Sequence, residues 1–214
     1  MHISDGVLST AVVATTYVAT AALTGYSLKG FKAEDIPKVA LMTGVFFIGS
    51  AIRVPFGPTS LHLMLTGFIG LVAGRRAPIP ILIALSLQLF LLNFGGISSL
   101  GANALMAALP AVLLGHFLTP LLRKYKKYAF VLGIIAGGAA VAATVVLLAF
   151  ILTQANLRFG VGPLSTIRIL GVAHVPLMIV EAIVTAFALQ FIMSIRPEYL
   201  IGVHGQNLEG GWNN

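Results

Sequence analysis

Residues Ala129–Ala155 read AFVLGIIAGGAAVAATVVLLAFILTQA, and none of them is charged. As a helix rising 1.5 Å per residue, this segment reaches about 40 Å, longer than the roughly 30 Å hydrocarbon layer of a bilayer. A helix apolar on every side belongs in the core of a large protein or in a membrane, and a chain of 214 residues is too small for the first. Working outward, cuts at charges and at Pro or Gly leave six more apolar stretches: Val7–Leu28, Val39–Val54, Thr59–Ala73, Ile79–Asn93, Leu100–Leu122 and Val172–Ile195. The whole chain is 58% hydrophobic and 9% charged with a mean hydropathy of +0.99, where soluble domains carry about 25% charged residues. The expected fold is all-α: a polytopic bundle of seven transmembrane helices in the lipid bilayer, forming one domain over residues 1–214.

The second, third and fourth stretches are short for a full crossing, so their flanking loops are expected to dip below the membrane surface and line a cavity. One set of loops holds Lys29, Lys32, Lys38, Arg75, Arg76, Arg123, Lys124, Lys126, Lys127 and Arg196; the other holds only Arg53, Arg158 and Arg168. Positive loops stay in the cytoplasm, which puts the N-terminus outside and the C-terminus inside. The basic excess, 13 Lys+Arg against 6 Asp+Glu, is thus a topology signal and does not point to nucleic acid. Without a basic start or a small-residue cleavage site, the first apolar run reads as a retained helix, not a signal peptide. There is no cysteine, so disulfides, thiolate metal sites and thiol nucleophiles are excluded. Small residues four apart, Gly133/Gly137, Ala136/Ala140 and Ala139/Ala143 in the sixth span and Ala11/Thr15/Ala19 in the first, are expected to pack helices closely inside the bundle.

The polar residues carry the chemistry. Topology places His2, His62 and His174 on the outer side, and His116 and His204 on the inner. Met1 is expected to be retained, because His is too bulky a second residue for its removal. The Met1 amine, the His2 amide nitrogen and the His2 ring Nδ1 then close a five-membered and a six-membered chelate ring in one plane, leaving a fourth in-plane position. That geometry favours Ni(II) or Cu(II), and binding requires the amine to lose its proton. His62, in Gly57-Pro58-Thr59-Ser60-Leu61-His62, is the candidate fourth ligand, with Thr59 or Ser60 expected to cap the helix that follows.

The uncharged connection Asn93-Phe94-Gly95-Gly96-Ile97-Ser98-Ser99-Leu100-Gly101-Ala102-Asn103 lies on the same side. Asn93, Ser98, Ser99 and Asn103 are candidates for the hydrogen bonds that orient metal-bound imidazoles, with Asp5 doing so for His2. Glu181, about two turns into the seventh span, is an intramembrane carboxylate and a functional candidate on that ground.

These pieces resemble the substrate-binding membrane subunit of cobalt and nickel energy-coupling factor transporters, the CbiM/NikM family. The resemblance rests on Met1-His2-Ile3-Ser4-Asp5-Gly6-Val7-Leu8, Gly57-Pro58-Thr59-Ser60-Leu61-His62-Leu63, Gly95-Gly96-Ile97-Ser98-Ser99-Leu100-Gly101-Ala102-Asn103, and Pro176 through Glu181 to Thr185, in order along the chain. It implies a seven-helix subunit whose N-terminal loop inserts into the bundle. The metal, Ni2+ or Co2+ as transported substrate, would be held square-planar by the Met1 amine, the His2 amide and ring nitrogens, and His62. It further implies a coupling transmembrane subunit, cytoplasmic ATP-binding subunits and a small accessory membrane subunit as partners. No organic cofactor is implied, and the location is the cytoplasmic membrane of a prokaryote. The chain is accordingly not expected to be an enzyme, and it has no Gly-x-x-x-x-Gly-Lys-Ser/Thr phosphate loop. Where family members carry Glu-Gly, this chain reads Glu181-Ala182, which puts a tight helix contact at issue.

Two other readings compete. A binding subunit for an organic micronutrient would line its cavity with Glu181, Gln88 and Asn93. An intramembrane hydrolase would pair Ser60 or Ser98 with His62 or His174, although the chain has no Gly-x-Ser-x-Gly nucleophile elbow.

Overall fold

The computed structural model describes residues 3–51, 53–56, 59–162, 165–195, 197 and 200, with backbone only at 53–56, 59–61, 157 and 158. Among the described residues seven α-helices follow one another: α1 (Thr10–Leu28), α2 (Ile36–Ala51), α3 (Thr66–Ala73), α4 (Pro78–Leu92), α5 (Leu100–Lys124), α6 (Ala129–Ala155) and α7 (Thr166–Ile195). Four of them, α1, α5, α6 and α7, are long and apolar enough to cross a membrane. The other three are shorter, at 16, 8 and 15 residues for α2, α3 and α4. Helix α6 begins and ends with the uncharged run that defined it. Helix α7 begins earlier than its apolar stretch, at Thr166, because an exposed Arg168 leaves its backbone hydrogen bonds intact.

The helical class is interrupted once. The third span does not start as a helix at Thr59, and Thr59 and Ser60 are not helix caps: the chain forms strands β1 (Arg53–Phe56) and β2 (Thr59–His62), antiparallel, with Arg53 opposite His62 and Phe56 opposite Thr59. A proline explains part of the difference. Pro55 lacks an amide donor and disfavours helical backbone at Val54, which lies in β1, so α2 cannot continue through it. Helix α3 then starts only at Thr66, after Leu65 at φ 51°, and ends at Gly74 with φ 49°. All eight of its residues are buried. At about 12 Å it is too short to cross a bilayer and is a plug surrounded by other helices.

Close packing of α6 against α7 follows the small residues. A Cβ at Gly133 would fall 2.5 Å from the Ala186 Cα, and one at Gly137 would meet the Glu181 carbonyl and lie 2.8 Å from the Ala182 Cα. Ala182 therefore keeps the tight contact because the glycine it needs sits across the interface, on α6. Ala136 and Ala140 are fully buried, while Ala139 and Ala143 are half-exposed. The stripe on α1 behaves otherwise: Ala11 and Thr15 are exposed, and Thr15 satisfies its hydroxyl on the Ala11 carbonyl at 2.8 Å. The inward face of α1 is Thr16, Thr20 and Ser27, and Thr20 donates to the Gly101 carbonyl of α5 at 2.7 Å.

Candidate metal centre

The N-terminal segment enters the bundle at Ile3, which is buried against Ala102 and Met106 of α5 and Leu148, Ile151 and Leu152 of α6. A main chain buried there needs partners for its amide and carbonyl. The Ile3 amide donates to the Asn103 Oδ1 at 2.8 Å; the Ile3 carbonyl accepts from the Asn103 Nδ2 at 3.1 Å and from the Ser99 hydroxyl. Asn103 serves both groups because its side chain carries an acceptor and a donor two bonds apart. Ser99 and Asn103 stand four apart, on one face of the first turn of α5.

Asp5 makes a second fastening. Its carboxylate accepts from the Ser98 amide at 2.8 Å, the Ser98 hydroxyl at 2.5 Å and the Ile97 amide at 3.2 Å. The bonds from Ser98 hold the Asp5 carboxyl below its usual range. Gly96 makes this approach possible, since a Cβ there would collide with both the carboxylate and the backbone nitrogen of Asp5. Among the described residues, Ser98, Ser99 and Asn103 grip the main chain of Ile3 and the Asp5 side chain. Asn93 stands apart. It is exposed at φ 53° and ends α4, where the Phe94 amide closes on the Gln88 carbonyl at 3.1 Å.

His62 is buried at the end of β2, with its Nδ1 3.4 Å from the Leu63 carbonyl. Just beyond it, Glu181 of α7, wholly buried, accepts from the backbone amides of Met64 and Leu65. Met64 and Leu65 lead directly into α3, so this carboxyl holds the two residues just before the helix. The sequence offered no sign of this pairing. A leucine at φ 51° has no sequence signature, and an intramembrane glutamate names no partner.

His174 of α7 is also buried. Its Nδ1 lies 2.6 Å from the Leu170 carbonyl, which can only accept, so the Nδ1 carries a proton in this bond. Strand β2, which ends at His62, packs on α7, which carries His174. Leu170 itself packs on the cluster that buries Ile3. The Ile3 anchorage, His174 and His62 thus share one end of the bundle. Met1, His2 and His204 lie outside the described residues, as do the side chain of Ser60 and the Gly57-Pro58 turn. Among the described residues no three His, Asp or Glu side chains cluster as a ready-made metal site. The Ser98 hydroxyl is bonded to Asp5 and not to a histidine.

A family model described as "Cobalt uptake substrate-specific transmembrane region", CbiM, matches residues 2–199. A metal transport protein of Haemophilus influenzae is 32% identical over 202 residues, covering 94% of this chain and 97% of its own. A fused nickel transport protein, NikMN, of Archaeoglobus fulgidus is 27% identical over 205 residues, 94% of this chain and 68% of the relative. A solved structure of a transition metal transporter superposes with a TM-score of 0.77 over 91% of this chain and 93% of that one, at 24% identity, which establishes a shared fold.

Proposed function

The chain belongs to the CbiM family of cobalt-uptake substrate-specific transmembrane proteins, and from that premise we propose that it captures Ni2+ or Co2+ outside the cell through the Met1 amine, the His2 amide and ring nitrogens, and His62. The metal exchanges its water shell for four nitrogens in one plane, a geometry suited to Ni(II) and reached only with the amine deprotonated. The observation that carries this reading is the hold on Ile3 by Ser99 and Asn103. It fixes the residue next to His2 at the end of the bundle where His62 and His174 are buried. Asp5, bonded to Ser98, keeps the rest of the N-terminal segment against the glycine-rich loop, and Glu181 fixes the turn after His62.

In this reading the bundle spans the cytoplasmic membrane of a prokaryote as seven segments, the three short helices and the hairpin supplementing the four long ones. The N-terminus is outside, and the basic loops around Arg75, Arg76 and Arg123–Lys127 are inside. The chain is one subunit of an energy-coupling factor importer, with a coupling transmembrane subunit, cytoplasmic ATP-binding subunits and a small accessory membrane subunit. The fused NikMN relative, of which this chain matches 68%, supports a physical association with another subunit. Release inward follows when the N-terminal segment is drawn away from His62, which breaks the plane without a change of bulk pH.

The test compares bound nickel and cobalt per protein in two preparations that differ only in the position of a non-histidine affinity tag. Metal bound with a C-terminal tag and lost with an N-terminal tag supports the site. Equal binding in both removes Met1 from it and moves the ligand set to His62, His174 and Glu181.

A further inference from the structure

At the opposite end of the bundle a cavity of about 320 Å3 opens between the last turns of α1 and α5, lined by Tyr26, Arg75, His116, Thr119 and Arg123 among others. We propose that it binds the phosphate headgroup of an anionic membrane phospholipid. Two guanidinium groups and an imidazole converge here, and no acidic residue lines the cavity among the described residues. Arg75 is pre-positioned: its Nη2 donates to the Lys29 carbonyl at 2.7 Å, and its guanidinium carbon lies 5.5 Å from the centre of the Tyr26 ring. His116 and Arg123, seven residues apart on α5, project from the same face two turns from each other. Between them Thr119 is buried, and its hydroxyl has no hydrogen-bond partner among the described residues.

The level and surroundings of the cavity select a lipid. It lies where α1 ends at Leu28 and α5 ends at Lys124, the ends of two membrane-length helices and hence the depth of headgroups. Leu113, which lines the cavity, continues into Phe117 and Leu121, all exposed on α5. A phosphodiester in the cavity would place its acyl chains along that apolar face. Free phosphate makes no use of it. Arginine suits the ligand because its planar fork matches two phosphate oxygens at once.

The experiment reconstitutes the full chain in phosphatidylcholine vesicles carrying a trace of spin-labelled phosphatidylglycerol or spin-labelled phosphatidylcholine, and reads the motionally restricted fraction of each label. Phosphatidylglycerol is expected to be retained in preference to phosphatidylcholine. Arg123→Gln should lower that preference about tenfold, as loss of a charge-assisted hydrogen bond to the phosphate does. Lys127→Gln, a basic change outside the cavity lining, should lower it less, through the general surface charge alone, and circular dichroism checks that both variants keep their helices. Equal retention of the two labels overturns the proposal, as does an equal effect of the two substitutions, which would mean diffuse charge. Displacement of the labelled lipid by millimolar inorganic phosphate assigns the cavity to a free anion instead. Loss of co-purifying partner subunits on Arg123→Gln, with lipid preference intact, assigns it to an acidic protein surface and likewise overturns the lipid reading.

Discussion

Both carboxylate oxygens of Glu181 lie 3.0 Å from the amide nitrogen of Leu65. One side chain in the middle of α7 thereby fixes the turn between His62 and α3, and a buried carboxyl finds its partners in the backbone amides just before a helix. The same contact ties the packing of α7 on α6 to the position of His62, because Gly137 lies against the carbonyl of Glu181.

Removing that carboxylate strands two buried amides. Glu181→Ala is expected to cost roughly 2–3 kcal/mol of stability, the usual penalty for unsatisfied buried donors, and to lower metal occupancy by loosening the turn after His62. Glu181→Gln keeps one acceptor but turns an NH2 toward a donor, so it should fall between the two. Unfolding in detergent and calorimetric nickel titration of both variants measure the pair of effects; wild-type stability in Glu181→Ala would rule out its hold on the Met64 and Leu65 amides.

Asn103 acts at a distance from any metal ion, through the main chain of Ile3. Asn103→Ala should weaken nickel binding about 10–100-fold, the range for groups that orient ligands, with a stability loss of only about 1 kcal/mol. Asn103→Asp keeps the acceptor for the Ile3 amide but sets a carboxylate against the Ile3 carbonyl, and should be no better. Equilibrium dialysis against nickel and a parallel unfolding curve separate the two quantities, and equal losses in both would make Asn103 a packing residue alone.

The Asp5 fastening has a defined pH range. Its carboxyl is held below the usual range by the Ser98 bonds, so the stabilisation is complete above the unfolded value near 3.9 and is lost as pH falls through the lower folded value. It is therefore constant between pH 5 and 9. On the proposed site, a loss of metal between about pH 8 and 6 follows protonation of the Met1 amine, whose ordinary pKa is roughly 7.7–8.0. Asp5→Asn should weaken binding at every pH while leaving the midpoint of its pH dependence unmoved; a shifted midpoint would implicate Asp5 in the titration itself.

Glycine positions separate packing from geometry. Gly137→Ala places a methyl group against the α7 backbone, where a Cβ would lie 2.8 Å from the Ala182 Cα, and should destabilise by about 1–3 kcal/mol. Gly25→Ala on α1 meets nothing within 4 Å and should be neutral or slightly stabilising, as alanine favours helix. Melting temperatures of the two variants in the same detergent provide the comparison.

Much of the architecture was legible because hydrophobicity in a membrane protein is a local signal. The uncharged run of α6 is the helix, end to end, and the small residues at Gly133 and Gly137 mark its closest contact. The hairpin was partly legible: Pro55 and Pro58 announced a turn, but prolines reveal where a helix is forbidden and not what replaces it. On α1 the small-residue spacing at Ala11 and Thr15 misled, because a threonine that bonds its own helix has no need of a neighbour.

By itself the sequence determined that the chain lies in a membrane, where its long helices run, and which motifs place it beside metal-uptake proteins, since each of these depends on residue type and spacing along one segment. Only the tertiary structure decided that Asn103 holds Ile3, that Asp5 holds Ser98 and that Glu181 holds the amides just before α3. Those bonds join residues 100, 93 and 116 positions apart in the chain. The donors of all three are main-chain amides, which every residue but proline possesses, and no sequence pattern distinguishes one amide from another until the fold sets it against its acceptor.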